Sequence, residues 1–276
     1  MKKITSLMRQ ALDDYSMIND GDKIAVGLSG GKDSVCLATA LKHYQRYSPE
    51  KFELIAIIID MHNGKTDYSK LLDYCKSINL ETIVVPSRIF DIVFNTRKES
   101  NPCSLCSKLR RGILNTTAQK LGCNKIALGH HADDVMETFF LSMFFEGRLS
   151  TFHPTTFLSD ANITVIRPFI YVTEKNIIGF SKNLPIVKNV CPADKNTNRE
   201  YVKGLLTEIS HTIPFAKNRI QTALMHSERN NLIPALEKNI EKHKIKQIAK
   251  THQIICVTHL ATIAAKGDTN YYINKE

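Results

Sequence analysis

The sequence predicts an α/β fold, a doubly wound parallel sheet with a helical basic appendage at its C-terminal end. Apolar runs of strand length recur at KIAVGLS from Lys23, ELIAIIID from Glu53, TIVVPS from Thr82, KIALGH from Lys125 and ITVIRP from Ile163, with segments of helical spacing between them. Such alternation requires crossover connections, and crossovers make strands parallel. Runs such as Leu54 to Ile59 are apolar throughout, as strands covered by helices on both faces must be.

Taken in order, the first strand leads into a glycine turn, and Ser34–Tyr47 reads as the helix that follows. Tyr68–Asn79, Ser104–Leu121 and Asp133–Phe145 carry helical apolar spacing, for example Leu109, Ile113, Leu114 and Leu121, with Asp, Ser or Thr near their starts as caps. In open sheets of this kind ligands bind beyond the carboxyl ends of the strands, so the loops after Leu28, Ile59 and Leu128 are where chemistry is expected. Beyond Cys191 the pattern turns helical at Asn198–Ser210 and Pro214–His226, and then basic. Residues 217–250 hold eight Lys/Arg against three Asp/Glu, half the positive excess of the chain. The expected organisation is a core domain over 1–210, a helical basic segment over 211–240 and a tail over 241–276.

Composition narrows the class of function. The 276 residues include 37 Lys/Arg and 27 Asp/Glu, a net charge of +10 that favours a polyanionic partner. Hydrophobic residues at 43% and charged residues at 23% match globular averages and exclude a disordered or fibrous chain. No run approaches the ~18 apolar residues that cross a bilayer. Asp13 and Asp14 interrupt the N-terminal stretch where a secretion signal would be apolar, so a cytoplasmic protein with no membrane association is expected. Seven cysteines without a secretion signal leave metal binding, redox chemistry or burial as their roles.

The block LSGGKDS, Leu28 to Ser34, ends the first strand and opens the first helix. Adjacent Gly30 and Gly31 let successive N–H groups point at one anion, and the helix N-terminus adds partial positive charge. A phosphate is the expected ligand. Lys32 supplies a cation, Ser29 and Ser34 supply hydroxyls, and Asp33 holds Mg²⁺ or orients the turn. The spacing is not that of a Walker loop. Downstream, GHHADDVMET places Gly129 at a strand end and Asp133, Asp134 and Glu137 within one helical turn, a set suited to Mg²⁺. His130 and His131 beside it can donate to phosphate or substrate.

Cys103 and Cys106 form a C-x₂-C pair in PCSLCSKLRRG, which by itself fits zinc, an iron–sulfur cluster or a dithiol. No second pair completes a tetrahedral zinc site. Cys36, Cys75, Cys123 and Cys256 are isolated within predicted core elements and read as small buried hydrophobes.

SGGKDS, CSLCSKLRRG and GHHADDVMET, in this order, resemble the PP-loop, or N-type, ATP pyrophosphatase superfamily, in its tRNA 2-thiolation branch. The pattern is nearer the TtcA-like members than the related TtuA type, whose core is flanked by zinc-finger pairs. The likeness runs from about Lys2 to Ser210 and implies an adenine nucleotide alpha hydrolase-like fold. It implies ATP with its phosphates on Ser29–Ser34, its adenine near Ile59, Asp60 and Met61, and Leu28, Gly129, His130 and Asp133 as further nucleotide contacts. Lys32, Asp33 and Asp134 are the implied catalytic residues. Cys191, in NVCPAD, matches the late third cysteine, so Cys103, Cys106 and Cys191 would hold a [4Fe–4S] cluster with one iron open, where full ligation takes four thiolates. The implied reaction adenylates a base C2 carbonyl on tRNA and replaces its oxygen with sulfur, supplied as free sulfide or by a cysteine desulfurase. Lys108, Arg110 and Arg111 would meet phosphate or the tRNA backbone, and homodimerisation is left open.

Two rival readings share some of these features. A lysidine-synthetase-like ligase also adenylates a base but needs no cysteines. A zinc-stabilised, nonenzymatic RNA-binding module would leave SGGKDS without a purpose. The final stretch HQIICVTHLATIAAKGD resembles a fragment of a RecN-type ATPase head, but it has no phosphate loop of its own and no function is assigned to it.

Overall fold

The computed structural model describes residues 2–97, 102–187, 197–226 and 229. In chain order the elements are α1 (Lys2–Asp14), β1 (Lys23–Gly27), α2 (Lys32–Tyr44), β2 (Glu53–Asp60), α3 (Ser69–Ser77), β3 (Glu81–Pro86), a π-helical turn (Asp91–Thr96), α4 (Pro102–Lys120), β4 (Lys125–Ala127), α5 (Ala132–Glu146), β5 (Thr155–Leu158), a 3₁₀ turn (Ser159–Ala161), β6 (Ile163–Ile166), α6 (Glu174–Ser181), α7 (Asn198–Thr212) and α8 (Ala216–Met225). The strands form one sheet in the order β3-β2-β1-β4-β6-β5. All pairings are parallel except β5 with β6.

The five expected strands are therefore present, and the sheet departs from the all-parallel expectation at one edge only. The link from Leu158 to Ile163 is four residues long and includes Asn162 in the left-handed region (φ 48°), so it can close only an antiparallel hairpin. TTFL is too short and too polar at its start to have announced itself. Sequence reading also passed over α1, the π-helical turn and α6. In α1, Ile4, Met8, Ala11 and Leu12 recur at helical spacing and are buried.

The apolar run of β2 has the role predicted for it, with both faces covered. Leu54, Ala56 and Ile58 join Ile24, Val26 and residues of α1 and α2 in one core layer. Ile55 and Ile57 point to the other face and pack with Ala25, Ile126, Val165 and the α4 residues Leu114 and Ala118. The two layers follow from the period of two along a strand. Because β2 and β4 flank β1, the sheet reverses its winding between β1 and β4, and the crevice beyond their carboxyl ends is where such sheets take ligands.

By contacts the chain divides into Met1–Ser227, which holds every element above, and Glu228–Glu276. Apart from Arg229 the second unit lies outside the described residues, as do the remainder of the basic stretch and the tail over 241–276. Helices α7 and α8 belong to the first unit: Val202 and Leu206 of α7 bury against Met136 of α5. Among the described residues no helix is long and apolar enough to cross a membrane.

Candidate active site

The loop between β1 and α2 is shaped by its own hydroxyls. Ser34 Oγ accepts from the Ser29 amide (3.1 Å) and donates to the Gly31 carbonyl (3.0 Å), and it lies 3.0 Å from Ser29 Oγ. Ser29 Oγ in turn accepts from the Gly31 amide at 3.3 Å. Gly30 sits at φ 83°, and a Cβ there would come within 2.9 Å of Val187 Cβ, so both conformation and space require glycine. Leu28 is buried below the loop, its amide donating to the Ile57 carbonyl at 2.9 Å.

Gly129 brings the second motif against the first. A Cβ at this position would lie 3.1 Å from the Asp33 backbone carbon and oxygen and 3.2 Å from the Ser34 nitrogen. Only a residue without a side chain lets the end of β4 approach the N-terminus of α2 so closely. The two motifs meet here, at the β1/β4 reversal of the sheet, among the loops where chemistry is expected.

Lys32 is held by carboxylates on two sides. Its Nζ lies 3.2 Å from Asp33 Oδ1 and 3.1 Å from Glu174 Oε1, and Lys203 of α7 reaches the same Glu174 oxygen at 3.0 Å. Burial works against the Lys32 charge, but Asp33 and Glu174 overcome it and raise the pKa above the usual value. Burial likewise opposes the Glu174 charge, yet the hydrogen bonds from Lys203 and Lys32 keep that carboxyl below its usual range. Asp33 Oδ1 is buried, has among the described residues no partner other than the Lys32 ion pair within hydrogen-bond reach, and lies 3.7 Å from His131 Nε2.

The acidic residues of the second motif have protein partners. Asp133 accepts from the Glu174 amide (2.7 Å) and pairs with Lys217 of α8 (3.1 Å). Asp134 accepts from the His131 amide (2.9 Å) at the N-terminus of α5. Arg199 of α7 lies 3.1 Å from both Asp134 and Glu137 and donates to Thr138 Oγ1 at 3.2 Å. Burial first, and then Asp134, raise the Glu137 pKa. Among the described residues no group of three or more His, Cys, Asp or Glu side chains is gathered as a metal site. The Mg²⁺ reading of Asp133, Asp134 and Glu137 thus meets carboxylates already engaged by cations and amides. Asp33 adjoins the glycine loop and is paired there with Lys32 and near His131, which makes it the carboxylate of that loop able to take this ion, since Mg²⁺ takes one or two carboxylates plus substrate phosphates.

Asp60, at the end of β2, is buried and ties down the loop after it: its carboxylate accepts from the His62 amide (3.2 Å) and from the Gly64 amide. The adjacent Met61 sulfur lies 3.6 Å from Cys106 Sγ. Pro102 opens α4, a position that suits its missing N–H, and Cys103 and Cys106, three residues apart in the first turn, fall on one side of the helix. Cys103 is exposed and Cys106 half-buried. This contact brings the C-x₂-C pair to the carboxyl end of β2, on the same edge of the sheet as the phosphate loop. Thiols so placed fit a thiolate-held cluster. Cys191 lies outside the described residues, but Val187, four residues before it, donates from its amide to the Gly30 carbonyl at 3.0 Å. Cys36, Cys75 and Cys123 are buried as expected, and burial pushes the Cys36 thiol up to about 12; Cys256 lies outside the described residues.

Sequence reading missed Glu174, Arg199, Lys203 and Lys217, which enclose the two motifs from α6, α7 and α8. Only Lys217 falls in the basic stretch of residues 217–250; Glu174, Arg199 and Lys203 lie outside it, and no spacing links the four to motifs far away in the chain.

Comparison with known proteins follows the geometry. Residues 2–207 match the PP-loop domain family. The chain is 40% identical over 229 residues to a tRNA-cytidine(32) 2-sulfurtransferase of Pseudomonas putida (strain GB-1), covering 82% of this chain and 84% of that protein. It is 38% identical over 238 residues to the protein of that name from Pseudomonas paraeruginosa (strain DSM 24068 / PA7), covering 85% of each. Among solved structures, the U34-tRNA thiolase NcsA from Methanococcus maripaludis, with its [4Fe-4S] cluster, shares the fold at TM-score 0.65 and 24% identity, over 83% of this chain and 79% of that one. With three-quarters of its length matched and a cleft built from the loop after β1, the turn after β4 and the cysteine pair of α4, the chain belongs to the PP-loop domain family, in company with the tRNA-cytidine(32) 2-sulfurtransferases.

Proposed function

We propose that this protein is an ATP-dependent tRNA sulfurtransferase acting in the cytoplasm, which adenylates the C2 carbonyl of a cytidine and replaces its oxygen with sulfur to give 2-thiocytidine. The observation that carries the reading is the convergence, on one sheet edge, of the phosphate loop, the second motif pressed against it at Gly129, and Cys106 against Met61. The names of the relatives support the same substrate.

The carbonyl oxygen of the base attacks the α-phosphate of ATP and releases pyrophosphate. Sulfide then displaces AMP from C2, because an adenylated oxygen leaves where a bare one does not. The amides of Ser29–Ser34 and the α2 N-terminus hold the phosphates, and Lys32 turns from Glu174 to meet the charge that grows on pyrophosphate. Asp33 holds Mg²⁺, which when bound neutralises phosphate charge. Asp60 fixes the loop that receives the adenine, and Leu28, Gly129, His130 and Asp133 frame the rest of the nucleotide site. Asp134, braced by Arg199, keeps the turn at His130 and His131 in place beside the reacting atoms. Cys103, Cys106 and Cys191 would hold a [4Fe–4S] cluster, which would supply the sulfur-carrying chemistry of the site. The test is reconstitution: anaerobically loaded protein with ATP, Mg²⁺, sulfide, lysine and unmodified tRNA, followed by nucleoside mass spectrometry. ATP-dependent 2-thiocytidine is the expected product, and lysidine or an unchanged nucleoside profile would overturn the reading.

A further inference from the structure

Helix α7 brings a second lysine to the carboxylate that holds Lys32. Glu174, the first residue of α6, accepts from Lys32 Nζ at 3.1 Å and from Lys203 Nζ at 3.0 Å, both on Oε1. Two atoms bound to one oxygen are no further apart than the two contacts laid end to end, so the ammonium groups stand side by side. Arg199, one turn before Lys203 on α7, contacts Asp134 and Glu137, so this face of the helix is turned towards the two motifs. The packing of Val202 and Leu206 on Met136 holds α7 in place without help from the lysine.

Burial opposes the Lys203 charge and Lys32 adds to the opposition, yet Glu174 outweighs both and raises the pKa above the usual value. An ammonium carries three donors. Among the described residues Lys203 spends one of them, on Glu174, and its side chain is 40% exposed, so the other two are open to a ligand in the cleft. The neighbour decides which ligand. Lys32 opens α2 directly after the Gly30–Gly31 turn, so a cation beside its ammonium stands beside the phosphate that this turn would hold. Phosphate charge that draws Lys32 away would leave Glu174, largely buried, without a partner, and a buried unpaired carboxylate is costly. Lys203 keeps it paired through that exchange.

We infer that Lys203 is a second ligand of the pyrophosphate portion of ATP, reaching from α7 to the phosphates that Lys32 meets from α2. This rests on the functional reading above and adds to it a binding residue outside the three motifs. Competitive binding of a nonhydrolysable ATP analogue, inorganic pyrophosphate and AMP, and direct binding of fluorescently labelled tRNA, are measured on the full protein for wild type, Lys203→Met, Lys203→Gln and Lys203→Arg. The Met and Gln variants should bind the analogue and pyrophosphate roughly tenfold more weakly, as loss of a charge-assisted hydrogen bond requires. AMP, which lacks the two terminal phosphates, and tRNA should bind as they do to wild type. Lys203→Arg should recover most of the loss because it keeps the charge. An equal loss for AMP marks a loosened cleft, as a merely structural ion pair would give, and overturns the inference. Wild-type affinity for analogue and pyrophosphate in both neutral variants overturns it as well, and weakened tRNA binding with intact pyrophosphate binding assigns Lys203 to the tRNA instead. Those three outcomes leave the functional reading intact, whereas a wild-type protein that binds neither analogue nor pyrophosphate overturns both. Should Lys203→Met fail to fold, Lys203→Gln, which keeps a donor for Glu174, decides alone.

Discussion

Lys32 shows how one side chain is poised by its neighbours. Asp33 and Glu174 hold it charged against the cost of burial, at the N-terminus of α2. Lys32→Ala should lower ATP-dependent thiolation by at least about a hundredfold while leaving the visible absorbance of the cluster unchanged, because the cysteine pair stands on another element, α4. Near-wild-type turnover at saturating ATP would refute the assignment. The cysteines divide in the opposite sense. Replacing Cys103, Cys106 or Cys191 by Ala should abolish bound iron and sulfide yet spare nucleotide binding. Replacing buried Cys36, Cys75 or Cys123, or Cys256, should spare the cluster, with the buried ones costing stability on the order of 1 kcal/mol. Iron and sulfide analysis of the seven variants decides, and a full cluster in Cys191→Ala would point to another third ligand. His130 carries a pH dependence. Burial, opposed by Asp134 and helped by Arg167, Arg199 and His131, brings its pKa from 6.5 to about 4, so the folded protein holds it neutral. Between these values the unfolded chain binds more protons. The contribution of His130 is therefore complete above 6.5 and lost as pH falls towards 4, at a slope approaching about 1.4 kcal/mol per pH unit. Denaturant titrations across that interval should show a flatter pH profile for His130→Gln than for wild type; parallel profiles would contradict it.

At the level of elements, two glycines decide how closely loops and helices meet. Gly30 combines a left-handed conformation with a neighbour, Val187, already in contact, and Gly129 carries the end of β4 onto the backbone of Asp33. Gly30→Ala should cost about 1–3 kcal/mol from strain alone, with further loss from displacement of Val187. Thermal unfolding together with nucleotide affinity should register both effects, and a variant matching wild type in each would show that the loop has another conformation. The SGGKDS motif announced the first glycine, because adjacent glycines between a strand and a helix have few other uses. The role of Gly129 was not legible in the same way. Its value lies in a contact with Asp33, 96 positions earlier, and no local pattern encodes that distance. Helices α7 and α8 show the same division: their spacing marked them as helices, but only the contacts of Arg199, Lys203 and Lys217 make them the wall of the site.

For the whole molecule, the net charge of +10 predicts that tRNA binding weakens steeply with salt, since each phosphate contact made by Lys or Arg releases counterions. Affinity should fall by one or more orders of magnitude between low and moderate ionic strength, as followed by filter binding; a flat response would refute a phosphate-led interface. Charge, however, does not say where the polyanion lies, and the sheet does. By itself the sequence determined the parallel core, through the unbroken apolar run of β2 and the alternation of strand and helix patterns, and it determined the chemistry of the site, through three short motifs whose residues are neighbours along the chain. Those are properties with a short range, set by periodicity and by local turn geometry. Tertiary structure alone decided the antiparallel edge at β5, the enclosure of the acidic motif by cations from α7 and α8, and the stacking of Arg167 on Phe152. The physical reason is that burial, ion pairing and the reversal of winding between β1 and β4 join residues far apart in the chain, and their energies exist only once the sheet has brought them together.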